Sequence, residues 1–153
     1  MAIKVSIVIK REFDVSAGFD QTFDVLANVP ESARHFPKVD QLVALGDNTF
    51  RWEMVKIGVD KYSLQTVYAA KYTSDKPNGS IVWEKVPGVG NGEVEGSWKV
   101  TETPSGCHLV YAIKGVMTLP LPNLLKLAIS PIVKHEFSTL VDKYINNLQA
   151  SLV

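Results

Sequence analysis

Residues 121–152 carry a single apolar stripe at the spacing of an α-helix. Its members are Ile129, Ile132, Val133, Phe137, Leu140, Val141, Tyr144 and Leu148. Polar residues such as Lys134, His135 and Asp142 fall on the opposite face. A stripe of this length must be covered, and the preceding residues offer mainly strands to cover it. The sequence therefore predicts one long helix that lies across a β-sheet.

The residues before this helix begin with a long strand and a bent helical segment. Apolar and polar residues alternate over Ile3–Val15, which predicts a strand. Asp20 is a candidate N-cap for a short helix over residues 23–27. Pro30 ends that helix and starts a second helical turn through Ser32 and Ala33. Two short helices are therefore expected after the first strand.

From Val39 onward the sequence has the period of two that is typical of strands. Trp52 and Met54 share the inward face of one strand, and Tyr62–Tyr72 forms a longer one. Turn signals lie at residues 46–48, 58–60, 77–79, 91–92 and 104–106. Short turns favour an antiparallel meander, so the sequence predicts an α+β fold in which a seven-stranded antiparallel sheet wraps around the long C-terminal helix.

Ser130-Pro131 interrupts the helical pattern near its start. A proline is tolerated in the first turn of a helix and disruptive in its interior. Pro131 either begins the main helix, with Ser130 as its cap, or kinks one continuous helix. We expect the first arrangement, with a short leading helix over Leu121–Ala128 and the main helix from Pro131.

Composition limits the classes of partner. The 153 residues fit one domain, residues 1–153. The 16 basic and 16 acidic residues cancel, which argues against nucleic acid as a partner. No apolar run is long enough for stable membrane insertion. Cys107 is the single cysteine, so an internal disulfide is excluded and a cytoplasmic location is expected.

Three stretches of the chain resemble the START/Bet v 1-like (SRPBCC) superfamily, which includes polyketide cyclase/dehydrase and lipid-transport proteins. Phe13–Ala17 through Phe23–Asn28 is similar to the family's passage from the first strand into helix. Phe36-Pro37 is similar to its exit from helix into strand, and Leu119–Pro122 is similar to its closing segment. The resemblance implies a helix-grip fold with an internal hydrophobic cavity, and it covers almost the whole chain. It does not imply one chemistry.

Large aromatic residues dominate the inward positions of the predicted strands. Together with the helix stripe they form the expected ligand-binding set: Trp52, Met54, Leu64, Tyr68, Trp83, Trp98, Tyr111, Val133, Phe137 and Val141. Tyr62 and Tyr72 share the same parity. Apolar walls with a few hydroxyls suit an amphipathic or aromatic ligand in a largely enclosed cavity. A fully packed core is the alternative at each position.

Arg11 stands between Ile9 and Phe13 on the mostly apolar face of the first strand. A buried guanidinium needs a carboxylate or a ligand oxygen as partner. Arg11 is therefore a candidate anchor for a ligand's polar head, and an exposed position is the alternative.

The remaining reactive residues show no catalytic pattern. Cys107 and His108 are adjacent on a strand, so their side chains point to opposite faces and cannot form a nucleophile–base pair. His135 lies opposite the helix stripe, and His35 lies in the helical segment near a possible opening. The spacing of these residues fits no metal site. We therefore predict no catalytic residue, no metal and no cofactor.

These observations leave three functional hypotheses. The first is binding or transport of a small hydrophobic molecule such as a lipid, an isoprenoid or an aromatic polyketide-like compound. The second is a cofactor-independent polyketide cyclase/dehydratase-like enzyme acting in the same cavity. The third is a protein-interaction cofactor resembling chaperone co-activators. We rank binding first because the predicted inward positions include no clear titratable base.

Overall fold

Regular alternation of buried and exposed side chains organises the sheet, beginning with the first strand. The computed structural model describes residues 2–59 and 61–153. The strands are β1 (Ile3–Val15), β2 (Val39–Gly46), β3 (Thr49–Met54), β4 (Ile57–Val59), β5 (Tyr62–Leu64), β6 (Val67–Asp75), β7 (Ser80–Val86), β8 (Gly92–Thr103) and β9 (Gly106–Leu119). The helices are α1 (Phe19–Ala27), α2 (Val29–Ala33) and α3 (Lys126–Ser151).

The main sheet is antiparallel throughout and has the strand order β1-β9-β8-β7-β6-β3-β2. Strand β1 pairs with β9 along its whole length, from Ile3 opposite Leu119 to Val15 opposite Cys107. This architecture confirms the predicted seven-stranded α+β fold with a long C-terminal helix. The order also leaves β1 and β2 at opposite edges, so the helical segment α1–α2 carries the chain from one edge to the other.

Helix α3 packs its apolar stripe on one face of this sheet. Ile129, Val133, Phe137, Leu140, Val141, Tyr144, Ile145 and Leu148 are its buried residues. The predicted stripe is wrong at one position, because Ile132 is 47 % exposed and Ile145 is buried in its place. Each helical residue turns the chain by about 100°, so the buried residues cover an arc of about 160° from Ile129 to Ile145. Ile132 lies about 60° outside this arc, beyond Ile129.

The predicted break at Pro131 does not occur. A single 3₁₀ turn (Asn123–Leu125) precedes one continuous helix, so the separate leading helix over Leu121–Ala128 is wrong. Pro131 has no backbone N–H, so it cannot donate a hydrogen bond to the carbonyl of Leu127. Both residues are exposed, so water can satisfy that carbonyl and the helix continues.

Among the described residues, no helix is long and apolar enough to cross a membrane.

The predicted strand Tyr62–Tyr72 is in fact two strands. Strand β5 pairs only with β4 in a separate hairpin, whereas β6 belongs to the main sheet. The Asn91 side chain explains the break, since it donates to the Gln65 carbonyl at 2.8 Å and accepts from the Val67 amide at 2.8 Å. These bonds occupy backbone groups of Gln65 and Val67 at the point where the chain passes from the hairpin to the main sheet. Asp60, part of the predicted turn here, lies outside the described residues.

Two short helices follow β1 as predicted, with one difference in capping. Helix α1 begins at Phe19 with Gly18 as its N-cap, so Asp20 lies inside the helix and is not the cap. Asn28 caps α2 by accepting from the Glu31 amide at 3.2 Å, and Pro30 occupies the first turn. Helix α2 thereby turns sharply from α1 and lies beside the sheet, near the C-terminal half of α3.

Gly96 on β8 provides a test of this packing. A Cβ at this position would lie 2.5 Å from Cζ2 of Trp83 and 2.5 Å from the Ala112 carbonyl oxygen. We expect Gly96→Ala to lower the free energy of unfolding by about 1–3 kcal/mol in urea titrations, because the Trp83 ring must move. Gly58→Ala is the matched control, since its Cβ would meet nothing within 4 Å. Equal stabilities of the two variants would contradict the close packing of Trp83.

Candidate functional site

Five neighbouring strands place their large aromatic side chains on the same face of the sheet. Trp52 of β3 pairs with Tyr68 of β6, and Trp98 of β8 pairs with Tyr111 of β9. The rings of the first pair stack with centroids 5.9 Å apart, and those of the second lie 4.7 Å apart. Trp83 of β7 joins them through Tyr111, at 5.8 Å. Strand alternation alone therefore assembles a continuous aromatic surface.

A cavity lies between this aromatic surface, α2 and the C-terminal half of α3. It is lined by Leu26, Val29, Ser32, Phe36, Trp52, Tyr68, Tyr72, Ile81, Trp83, Trp98, Tyr111, Ile113 and Tyr144. Its volume is about 30 Å³, which is room for about two water molecules. We call this space cavity 1.

Polar groups converge inside cavity 1. The Trp52 indole Nε1 donates to the Tyr72 hydroxyl at 3.0 Å, and the hydroxyls of Ser32 and Tyr144 hydrogen-bond to each other. Tyr68 and Tyr111 are only 5 % and 3 % exposed. Both side chains line the cavity. Cavity 1 therefore has four phenol hydroxyls and one serine hydroxyl in its wall, and each can donate or accept a hydrogen bond.

Burial raises the pKa of all four phenols that line cavity 1. The pKa values of Tyr68 and Tyr111 lie well above the usual value because of desolvation, and neighbouring phenols raise them further. Burial also raises the pKa of Tyr72 and raises that of Tyr144 to about 12, while hydrogen bonds partly offset both shifts. The four hydroxyls are therefore uncharged at neutral pH, so each can donate a hydrogen bond.

A second cavity, cavity 2, lies under the N-terminal half of α3. Its volume is about 40 Å³ and its lining is Lys38, Met54, Val55, Ile57, Leu64, Thr66, Leu119, Val133, Glu136, Phe137 and Leu140. An ion pair between Lys38 Nζ and Glu136 Oε1, at 3.0 Å, joins the chain before β2 to α3 at this cavity. Lys38 has a left-handed backbone with φ of 60°, a conformation that non-glycine residues seldom adopt.

The predicted ligand-binding set divides between the two cavities. Cavity 1 takes Trp52, Tyr68, Trp83, Trp98 and Tyr111, and cavity 2 takes Met54, Leu64, Val133 and Phe137. Val141 is fully buried and lines neither. The expected single enclosed cavity is therefore wrong in its extent. The aromatic rings explain the difference, because they fill most of the space that they surround.

Arg11 was predicted as an anchor for a ligand's polar head, with an exposed position as the alternative. The structure places it at the surface. Its Nε lies 2.8 Å from Oδ1 of Asp142, and the two side chains are 38 % and 53 % exposed. Tyr62 packs with Ile57 and Leu125 in a separate hydrophobic cluster, away from cavity 1. Arg11 and Tyr62 therefore do not contribute to either cavity.

Eight residues that line cavity 1 were absent from the predicted binding set: Leu26, Val29, Ser32, Phe36, Tyr72, Ile81, Ile113 and Tyr144. Tyr144 belongs to the helix stripe, and Phe36 precedes the Pro37 at the end of the helical segment. Ser32 gives no signal in the sequence, because its partner Tyr144 lies 112 residues away.

The other reactive groups lie away from cavity 1. Cys107 is fully buried, and desolvation raises the pKa of its thiol. His108 lies on the opposite face of β9, between Asp14 at 2.7 Å and Glu12 at 3.1 Å, and these carboxylates raise its pKa. Across the described ranges, no three histidine, cysteine or acidic side chains cluster in a way that could hold a metal.

Comparisons with known proteins show the fold. A START superfamily protein from Mycobacterium smegmatis is 12 % identical, with a TM-score of 0.63 over 95 % of this chain and 96 % of that one. An aromatase/cyclase from a Streptomyces species is 13 % identical, with a TM-score of 0.62 over 96 % and 93 %. The di-domain ARO/CYC protein StfQ from the steffimycin biosynthetic pathway is 16 % identical, with a TM-score of 0.59 over 97 % and 51 %.

These likenesses confirm, for the fold, the resemblance to the START/Bet v 1-like superfamily. No protein-family model matches the sequence, and no curated protein matches it. The comparisons therefore show the fold alone, and the identity of any ligand must be inferred from the cavities themselves.

The raised phenol pKa values predict how stability depends on pH. Unfolded tyrosines lose their protons near pH 10, whereas Tyr68, Tyr72, Tyr111 and Tyr144 keep theirs in the folded state. Above pH ~10 the unfolded state therefore binds fewer protons, and the free energy of unfolding falls as the pH rises. Urea titrations should show no loss from these groups below that pH and a steep loss above it.

Tyr68→Phe is the variant that checks this dependence. Above pH ~10 it should reduce the slope of the free energy of unfolding against pH by about 1.4 kcal/mol per pH unit, since one titrating group is removed. Phenolate absorbance that develops in the folded protein near pH 10 for all the tyrosines would contradict the burial of these hydroxyls.

Proposed function

We propose that this chain binds a small hydrophobic molecule that carries an aromatic ring and at least one oxygen substituent, with cavity 1 as the binding site. The observation that carries the proposal is the pair of buried tyrosines, Tyr68 and Tyr111, that line a cavity enclosed by aromatic rings. The proposed compartment is the cytoplasm, since Cys107 is the single cysteine.

The walls of cavity 1 favour an aromatic ligand. Phe36, Trp52, Trp83 and Trp98 supply flat apolar surfaces from different directions. A ring that enters among them can stack or meet their edges, and each such contact contributes about 0.5–1.5 kcal/mol beyond burial of area. A flexible saturated chain gains only the burial.

The hydroxyls favour an oxygen substituent. A hydrogen bond between a ligand oxygen and the Tyr68 or Tyr111 hydroxyl contributes about 0.5–1.5 kcal/mol. Both phenols are uncharged at neutral pH, and burial raises their pKa values further above it. They therefore donate to a carbonyl or accept from a hydroxyl equally well, whereas a carboxylate would have to leave water for an apolar site without a cationic partner.

Binding requires cavity 1 to enlarge, because its volume of about 30 Å³ is smaller than one ring. Cavity 2 offers the direction of enlargement. Tyr144 lines cavity 1, and Leu140, about 6 Å earlier along the axis of the same helix, lines cavity 2. Met54 lines cavity 2 two positions along β3 from Trp52, and its unbranched side chain can adopt other rotamers to join the two spaces.

A second candidate is cyclisation or dehydration of a polyketide-like substrate in the same cavity. Neutral phenols such as Tyr68 and Tyr111 can donate to a carbonyl oxygen as negative charge develops on it. The aromatase/cyclase names of two fold neighbours support this candidate. We rank binding above it because the lining of cavity 1 includes no histidine or carboxylate to act as a general base.

Hydroxynaphthalene and naphthalene form a matched pair of probes, since they differ by one hydroxyl. Calorimetric titration should give tighter binding of hydroxynaphthalene. The double variant Tyr68→Phe/Tyr111→Phe should weaken binding of hydroxynaphthalene by roughly fivefold to tenfold, the value of one neutral hydrogen bond, and leave naphthalene unchanged or slightly tighter.

Two controls make this test specific. Tyr62→Phe removes a phenol that lines neither cavity and should change neither affinity. His135→Ala alters an exposed residue of α3 and should also have no effect. Equal losses for both probes in the double variant, or a loss in Tyr62→Phe, would contradict orientation of the ligand by Tyr68 and Tyr111.

A further inference from the structure

The start of α3 exposes an apolar surface that nothing in the described chain covers. Leu124 is 94 % exposed and Leu127 is 90 % exposed. Ala128, Pro131 and Ile132 are also exposed. Helical spacing of three and four residues joins them into one face, which we call the α3 entry face.

The rest of α3 does not share this property. From Lys134 onward its solvent side carries polar residues, including His135, Asp142 and Lys143. At the start of the helix, Ile129 and Val133 are buried against the sheet while the α3 entry face is apolar as well. This end of α3 is therefore apolar on two faces, whereas a helix at the surface of a protein normally has one apolar face.

The charges around the α3 entry face have one dominant sign. The sequence has no acidic residue from Thr103 to His135, and Lys126 and Lys134 are exposed on the same stretch of α3. Glu136 is engaged by Lys38 at 3.0 Å. The neighbouring hairpin, whose Ile57 packs in the same cluster as Leu125, adds the exposed Lys56 and Lys61.

We propose that the α3 entry face docks on a lipid surface that carries anionic headgroups. Protruding leucines between lysines have the pattern of helices that lie in a membrane interface, where the apolar side chains enter the acyl region and the ammonium groups meet phosphates. The same end of the molecule holds cavity 2, which Ile57 and Val133 line. Docking would therefore bring that cavity against the membrane, although it does not require the ligand proposed for cavity 1.

Vesicle flotation tests the proposal with the full chain. Vesicles of phosphatidylcholine mixed with phosphatidylglycerol should carry the protein upward, and vesicles of phosphatidylcholine alone should carry much less. Leu124→Ser/Leu127→Ser should lower the partition coefficient by about tenfold or more, because the two most exposed apolar side chains are lost. Lys126→Gln/Lys134→Gln should lower it by about fivefold per lysine and reduce its dependence on salt.

Val8→Ser is the matched control, because Val8 is 78 % exposed on β1 and outside the α3 entry face. It should float like the unsubstituted chain. Tyr68→Phe/Tyr111→Phe should also float normally, which separates failure of docking from failure of ligand binding. Equal loss in Val8→Ser and the leucine variant, or no flotation on anionic vesicles, would overturn the proposal. A concentration-dependent dimer that Leu124→Ser/Leu127→Ser abolishes would assign the face to a second copy and overturn it as well.

Discussion

The contact of Tyr144 with the aromatic surface of the sheet is the interaction on which the interior depends. The Tyr144 ring lies 6.1 Å from Trp98, 6.0 Å from Tyr111 and 4.9 Å from Phe36, and its hydroxyl bonds to Ser32. One side chain thus joins α3, the sheet and the helical segment. The height of α3 above β8 and β9, and with it the room in cavity 1, follows from this contact.

This arrangement explains why an aromatic interior contains so little space. The ring centroids lie 4.7–6.1 Å apart, which is the spacing of favourable aromatic contacts. An incoming ring must therefore replace those contacts rather than fill a void. The contacts that are lost then offset part of the energy that the ligand's ring gains. The hydroxyls of Tyr68 and Tyr111 distinguish oxygenated rings from plain ones, because an oxygen substituent can hydrogen-bond to them. Selectivity for oxygenated rings is the physical consequence.

The sequence predicts those features that depend on local periodicity. Alternation in β3, β6 and β8 assigns Trp52, Tyr68 and Trp98 to one face, and the stripe of α3 identifies its buried side. Features that depend on distant residues are not predictable in this way. Asn91 divides β5 from β6 across more than twenty residues, and Ser32 meets Tyr144 across 112. The cavity volume depends on how all the rings pack together, which a parity count does not describe.

A crystal structure of the protein with hydroxynaphthalene tests the central claim most directly, since it locates both the ring and its oxygen. The account predicts the ring in an enlarged cavity 1, between Trp98 and Phe36, with its hydroxyl within about 3.2 Å of the Tyr68 or Tyr111 hydroxyl. A ring bound only in cavity 2 would contradict it, as would a ring in cavity 1 whose oxygen points away from both tyrosines.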